Sequence, residues 1–134
     1  MLHYSDVERL VREHQLTYFQ NIVFATVQPS VKFIIPAGPF STVIFDKVEQ
    51  YLVHFSAAGM RLFPVPERES QPVFLPWKSV TRFRVKRGLI TYRLIVETAQ
   101  GRLRLIVNKF VLGNAWAGEN TAYLAEHDFF YPQQ

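Results

Sequence analysis

The residues of this sequence best suited to binding chemistry are basic side chains in its second half. From Trp77 to Lys109 the chain has nine Lys or Arg residues and one acid, Glu97, whereas the remaining positions hold six cations and ten anions. Clustered Lys and Arg side chains attract carboxylates, phosphates and other anions. The overall charge of +4 therefore conceals a strongly basic segment, which favours an anionic partner.

The basic segment also alternates as a β-strand does. In residues 80–86 the cations occupy every second position from 82 onward, and Thr81, Phe83 and Val85 occupy the positions between them. Antiparallel pairing with the next two strands then places six cations on one outer face of a sheet. These candidate anion-binding or partner-binding residues are Arg82, Arg84, Lys86, Arg93, Arg102 and Arg104. The alternative is a solvated face that only discourages aggregation at the sheet edge.

Aromatic residues decide how well a nucleic acid would suit this face. A binder of single-stranded nucleic acid stacks bases on aromatic rings beside its cations. Phe83 and Tyr92 belong to the basic segment, but their positions alternate onto the opposite side of the strands. This segregation weakens the case for nucleic acid. Anionic lipid and nucleic acid are both alternative partners, and neither is the favoured one.

No catalytic or metal-binding set of residues can be assembled from the sequence. The four histidines lack metal-ligand spacing, and the chain contains no cysteine. Serine-nucleophile and phosphate-loop motifs are missing as well. The His127-Asp128 pair resembles a dipeptide of metal-dependent phosphohydrolases, but no further ligands accompany it. We therefore expect a non-enzymatic protein with no catalytic residue, no cofactor and no metal.

Length and composition favour one soluble domain. A chain of 134 residues that is 49% hydrophobic and 15% aromatic can bury a substantial core. No run of about 20 apolar residues is available to span a membrane. Residues 1–10 contain acids and lack the apolar stretch of a signal peptide. We expect a single domain over 1–134 in the cytoplasm.

The elements that position the basic residues are strands, with a helix near each end. Ser5 as N-cap with Glu8 three residues later predicts a helix over about 5–15. Asn114 is a suitable N-cap for a second helix over about 115–127. The residues expected to be buried are Val7, Leu10 and Val11 in the first helix and Trp116, Tyr123 and Leu124 in the second. The strands predicted within the β region, about 22–108, are 22–27, 31–35, 42–45, 51–56, 60–65, 73–75, 80–86, 90–98 and 103–108.

This order of elements resembles the pleckstrin-homology-like (PH-like) superfold, in particular its small bacterial members. The resemblance covers about residues 50–127. The segments that carry it are YLVHFSAAGMRLFPV at 51–65, FLPWKSVTRFRVKRG at 74–88 and GNAWAGENTAYL at 113–124. It implies a mainly β barrel or sandwich of two antiparallel sheets capped by the C-terminal helix, with a role in binding rather than catalysis.

The resemblance does not extend to the phosphoinositide site of the best-known PH domains. That site takes its basic residues from the loop after the first strand, and the loop candidates 28–30 and 36–41 contain no Lys or Arg. We therefore predict a binding or scaffolding module that acts through protein–protein contacts, including contacts with a second copy. The nearly uncharged, Phe-rich stretch 33–45 is the candidate subunit contact. The alternative is an anionic-surface binder that uses the basic strands 80–108.

Overall fold

The computed structural model describes residues 3–29, 33–38, 41–45, 48–65, 72–111 and 113–132, with only the backbone described for 29, 33–38 and 41–45. The helices are α1 (Tyr4–Glu13) and α2 (Ala115–Glu126), and single turns of 3-10 helix lie at Trp77–Ser79 and Asp128–Phe130. The strands are β1 (Ile22–Pro29), β2 (Phe33–Gly38), β3 (Ser41–Phe45), β4 (Glu49–Phe55), β5 (Gly59–Pro64), β6 (Val73–Pro76), β7 (Val80–Arg87), β8 (Thr91–Thr98) and β9 (Gly101–Asn108). The predicted mainly β fold with a helix near each end is confirmed. Neither described helix has the length and apolar character that crossing a membrane requires.

The strands form two antiparallel sheets of unequal size. Seven strands form one curled sheet in the order β6-β5-β4-β1-β9-β8-β7, and β2 pairs with β3 in a separate hairpin. Strand β1 lies at the centre of the large sheet, because Ala25 pairs with Tyr51 of β4 on one side and with Val107 of β9 on the other. The first and last strands of the sequence are therefore neighbours, which joins the two halves of the sheet.

The concave face of the large sheet encloses the main core. Alternation along β7, β8 and β9 directs apolar side chains such as Phe83, Val96 and Leu103 to this face, where they share one cross-strand row. Trp77, which the sequence analysis did not assign to the core, is 5% exposed. Its Nε1 donates a hydrogen bond to the Ser56 carbonyl oxygen at 2.8 Å. This ring is the main aromatic anchor between the β4–β5 turn and β7.

Helix α1 covers the convex face on the β4–β5 side of the sheet. Val7 and Leu10 are buried there with Leu52 and Phe63, as the predicted apolar stripe requires. Residues 51–55 of β4 are consequently buried on both faces. Helix α1 begins at Tyr4, one residue before the predicted start at about 5, and the predicted N-cap Ser5 is wrong, since the N-cap is His3, two residues earlier. Asp6, rather than Glu8, accepts the hydrogen bond from the N-cap backbone, with His3 N 2.8 Å from Asp6 Oδ2.

Helix α2 begins after Asn114, as predicted, and packs on β1. Asn120, 2% exposed, fixes this position because its Nδ2 donates to the Ile22 carbonyl oxygen at 2.8 Å and to Tyr18 Oη at 3.0 Å. Burial, and next the hydrogen bond with Tyr4, raise the pKa of Tyr18 to about 12, whereas the hydrogen bond from Asn120 acts in the opposite direction.

The structural residues predicted for α2 differ in their burial. Leu124 is fully buried in the main core. Tyr123 is half-buried at the edge of that core, and Trp116 is half-buried on the α1 side, where its ring centroid is 5.9 Å from that of Tyr4. The expectation of full burial is therefore wrong for Trp116 and Tyr123. The residue that fills the core beyond the helix is Phe129, at 0% exposure.

Candidate functional site

The six predicted basic residues lie on one face of β7, β8 and β9, here called the basic face: Arg82, Arg84, Lys86, Arg93, Arg102 and Arg104. The register divides this face into three cross-strand rows. Those rows are Arg82–Glu97–Arg102, Arg84–Ile95–Arg104 and Lys86–Arg93–Ile106. Only the third row places two cations directly opposite one another. The remaining cations are separated by Glu97 or by an apolar residue, which reduces their mutual repulsion.

Glu97 is the acid that balances part of the basic face. Arg102 donates to its Oε1 through Nη2 at 2.7 Å and through Nε at 3.1 Å. The hydrogen bond from Arg102 is the main reason that the pKa of Glu97 lies below its ordinary value, and the charges of Arg82 and Arg84 act in the same direction. Glu97 is thus held as a carboxylate, and it occupies one end of the face.

Arg84 occupies the middle row and is the least exposed of the six. Its Nε is buried and has no hydrogen-bond partner among the residues that the structure describes. Ile95, its neighbour in the row, is only 4% exposed although it lies on the same face. The middle of the basic face is therefore partly buried, and the buried Nε of Arg84 is not open to an external anion.

Two other cations of the basic segment lie at one end of the barrel instead of on the basic face. Arg87 donates through Nη2 to the Ala125 carbonyl oxygen near the C-terminus of α2, at 3.3 Å. Its Cζ is 5.7 Å from the centroid of Tyr92, and Lys109 Nζ is 4.7 Å from that centroid. The aromatic ring of Tyr92 and that of Phe83 belong to the concave face, as the alternation predicts. Neither ring can therefore form a base-stacking platform with the basic face.

A second surface, not foreseen from the sequence, lies at the same end of the barrel. Three large apolar side chains form an exposed rim there: Leu89 is 94% exposed, Ile90 70% and Phe110 80%. The Lys109 backbone N–H donates to the Ile90 carbonyl oxygen at 2.8 Å, which holds the two rim segments together. The sequence carried a signal for this surface, since the β7–β8 turn and the segment after β9 have apolar residues where turns usually have polar ones.

The rim borders an open groove of about 980 Å³ beside α2, here called the α2 groove. Its floor includes Tyr92 and the segment 109–111, and its wall is the face of α2 that carries Ala115, Gly118 and Ala122. Gly118 permits this arrangement, because a Cβ at that position would lie 2.9 Å from the Lys109 carbonyl oxygen. The lining is mostly apolar, which is typical of sites that bind another molecule.

The histidines and acids do not assemble a reactive centre in the part of the chain that the structure describes. No group of three or more such side chains is placed to hold a metal ion there. His54 is 5% exposed, and its Nε2 is 2.9 Å from the Thr17 carbonyl oxygen, while its Nδ1 has no partner among these residues. Burial lowers the pKa of His54, so the ring is neutral and holds the 17–21 segment against β4.

Comparison of the chain with protein-family models, with curated proteins and with solved structures found no match. The basic face and the α2 groove with its rim are therefore the observations on which a function can be based. The two surfaces lie on different parts of the barrel and differ in chemistry, since one is charged and the other apolar. They can be tested separately.

Proposed function

We propose that this protein is a non-enzymatic PH-like binding module that acts through protein–protein contacts in the cytoplasm. Its seven-stranded curled sheet with a C-terminal helix against the core fits the architecture that the sequence resemblance implies. Strand β1 is the central strand of the large sheet. Residues 30–48 connect it to β4, which is its neighbour in that sheet and the next of its strands along the chain. This connection is longer than the loops considered from the sequence, and it includes Lys32 and Lys47, which lie outside the described residues.

The observation that carries the proposal is the apolar rim beside the α2 groove. Three of the six large apolar side chains that are exposed among the described residues lie in this rim. Contiguous apolar surface on a folded chain is costly in water, and it commonly marks a contact with another protein. The groove gives the same surface a concave shape, so that a partner can insert side chains instead of only touching a flat patch.

Affinity capture with a matched pair of variants tests this proposal. Ala122→Arg places a long cation in the groove, whereas Ala99→Arg makes the same change at an exposed alanine in the β8–β9 turn at the other end of the barrel. We expect at least one protein from the native host to be captured by the wild type and by Ala99→Arg, and to be lost with Ala122→Arg. Capture that is equal for both variants would place the protein contact elsewhere, and no captured protein at all would refute the proposal.

A second function is favoured by a separate observation, the six cations gathered on the basic face. Such a face binds an extended anionic surface through many weak contacts, each of which contributes about 1 kcal/mol at an anionic membrane. The paired Glu97 and the absence of aromatic rings among the residues of this face speak against strong binding of nucleic acid.

Flotation with anionic vesicles and titration with short oligonucleotides distinguish this alternative from the favoured function. The variant to compare is Arg82→Glu/Arg84→Glu/Arg104→Glu, which reverses charge on two rows of the basic face without touching the groove. We expect weak binding at physiological salt for both proteins. Strong, salt-sensitive binding by the wild type that disappears in the variant would make the anionic-surface function the better one.

A further inference from the structure

The α2 wall of the groove has a length that suits a second helix. With 12 residues, α2 is about 18 Å long. Ala115 and Ala122 lie two helical turns apart on its groove side, and their small side chains leave room for a second helix beside α2, whereas Gly118 between them packs on the Lys109 carbonyl oxygen. A partner helix of about three turns would match this length. Phe110, the rim residue that lines the groove, would then contact its side chains from the side opposite α2.

Two cations and one acid lie at the groove. Two cations, Arg87 and Lys109, lie against the Tyr92 ring that forms part of the floor. Glu119 is the acid in the groove lining, and it lies on the α2 wall. A partner that brings carboxylates to the Lys109 side would gain attraction, whereas a basic partner would be repelled there.

A lipid bilayer fits these features less well than a protein segment. A membrane surface contacts side chains that project, such as Leu89, and leaves the concave lining beside α2 unfilled. A helix can fill the lining and contact the rim at the same time. Burial of both surfaces by one occupant removes more apolar area from water than burial of the rim alone.

We propose that the α2 groove binds an amphipathic helix of a partner protein, one that presents apolar residues at i, i+3 or i+4, and i+7 with Asp or Glu on the flank facing Lys109. This inference rests on the proposed function, because it names the partner chemistry of that same surface. It adds two properties that protein binding alone does not require. The partner segment is helical, and it is acidic.

Selection from a displayed library of random 16-residue peptides against the full-length chain tests these properties. Enriched peptides should carry apolar residues at helical spacing together with acids, and they should become helical on binding. Phe110→Ser should weaken the binding of an enriched peptide at least about tenfold. Lys109→Glu should weaken it about threefold to tenfold, and Glu119→Lys should strengthen it by a similar factor, because each reversal changes the sign of one exposed charge contact. These side chains are exposed or half-buried, so the variants should fold.

Three outcomes would overturn the inference. If the enriched peptides are neutral or basic, the partner is not acidic. If no enriched peptide binds the wild type more tightly than Ala122→Arg, the groove does not bind a helix. The third outcome is flotation of the wild type with phosphatidylserine-containing vesicles. If Leu89→Ser/Ile90→Ser abolishes this flotation and Val48→Ser does not, the rim binds a membrane instead of a protein. Val48 is the matched control, since it is a 59% exposed apolar residue near the other end of the barrel. If the enriched peptides are neutral or basic, the inference fails, but protein capture that Ala122→Arg abolishes would still support the proposed function. Failure of the inference can therefore be distinguished from failure of the proposed function.

Discussion

The two tryptophans should differ in their contribution to stability, because the structure gives them different environments. Trp77 is 5% exposed, its ring contacts Phe83 at a centroid distance of 5.2 Å, and its Nε1 donates to the Ser56 carbonyl oxygen. Trp116 is half-buried, and its Nε1 donates to Asn114 Oδ1 within the first turn of α2. From the sequence alone, Trp116 is the tryptophan predicted to have the structural role.

Trp77→Ala should lower the free energy of unfolding by about 3 to 5 kcal/mol for the lost ring, and by about 1 kcal/mol more for the unpaired Ser56 carbonyl. Trp116→Ala removes a ring that is only partly withdrawn from water, so it should cost about half as much, roughly 1.5 to 2.5 kcal/mol. Trp77→Phe keeps most of the packing and loses the hydrogen bond, which predicts a cost of about 1 to 2 kcal/mol.

Urea denaturation followed by circular dichroism measures these differences without relying on the fluorescence of the residues that are changed. The order of stability should be wild type, then Trp77→Phe and Trp116→Ala, then Trp77→Ala. A loss for Trp116→Ala equal to or larger than that for Trp77→Ala would show that the core is centred on α2 and α1, contrary to the structure. A negligible effect of Trp77→Phe would show that the Nε1 hydrogen bond contributes no stability.

The remaining predictions concern pH, helix packing and assembly. Burial lowers the pKa of His54 below the ordinary 6.5, so this ring binds a proton more readily in the unfolded chain than in the folded one. The stability that depends on His54 should therefore be fully present above about pH 6.5 and decrease as the pH falls toward the folded-state pKa. Denaturation curves at several pH values should show a smaller dependence of stability on pH for His54→Gln than for the wild type. Gly118→Ala should destabilise the protein by about 1 to 3 kcal/mol in thermal melts, because the new Cβ meets the Lys109 carbonyl oxygen and this outweighs the gain of about 1 kcal/mol in helix propensity. Deletion of 114–134 should expose the core and reduce solubility and melting temperature, whereas an unchanged cooperative melt would contradict a capping role for α2. Sedimentation at several concentrations should detect self-association through 33–45, whose side chains lie outside the described part, and a strict monomer at about 100 μM would refute that contact.

The sequence by itself determined the elements of this fold, because their signals are local. Alternation over 80–98 predicted β7 and β8 to within a residue at most ends, and Asn114 marked the start of α2. The same period of two predicted which cations share a face, since cross-strand rows follow from the alternation once antiparallel neighbours pair. Local signals were weaker at α1, where His3 rather than Ser5 became the N-cap.

Only the tertiary structure decided which residues far apart in the sequence meet. The pairing of β1 with β9 joins the two halves of the large sheet. The hydrogen bond from Asn120 to the Ile22 carbonyl oxygen fixes the position of α2 on β1, and so determines which face of the helix is exposed. Burial of Trp77 and exposure of Phe110 both follow from these contacts, because the environment of an aromatic ring depends on its neighbours in space and not on its neighbours in the chain. The α2 groove exists for the same reason, since its floor and wall come from separate elements that long-range packing brings together.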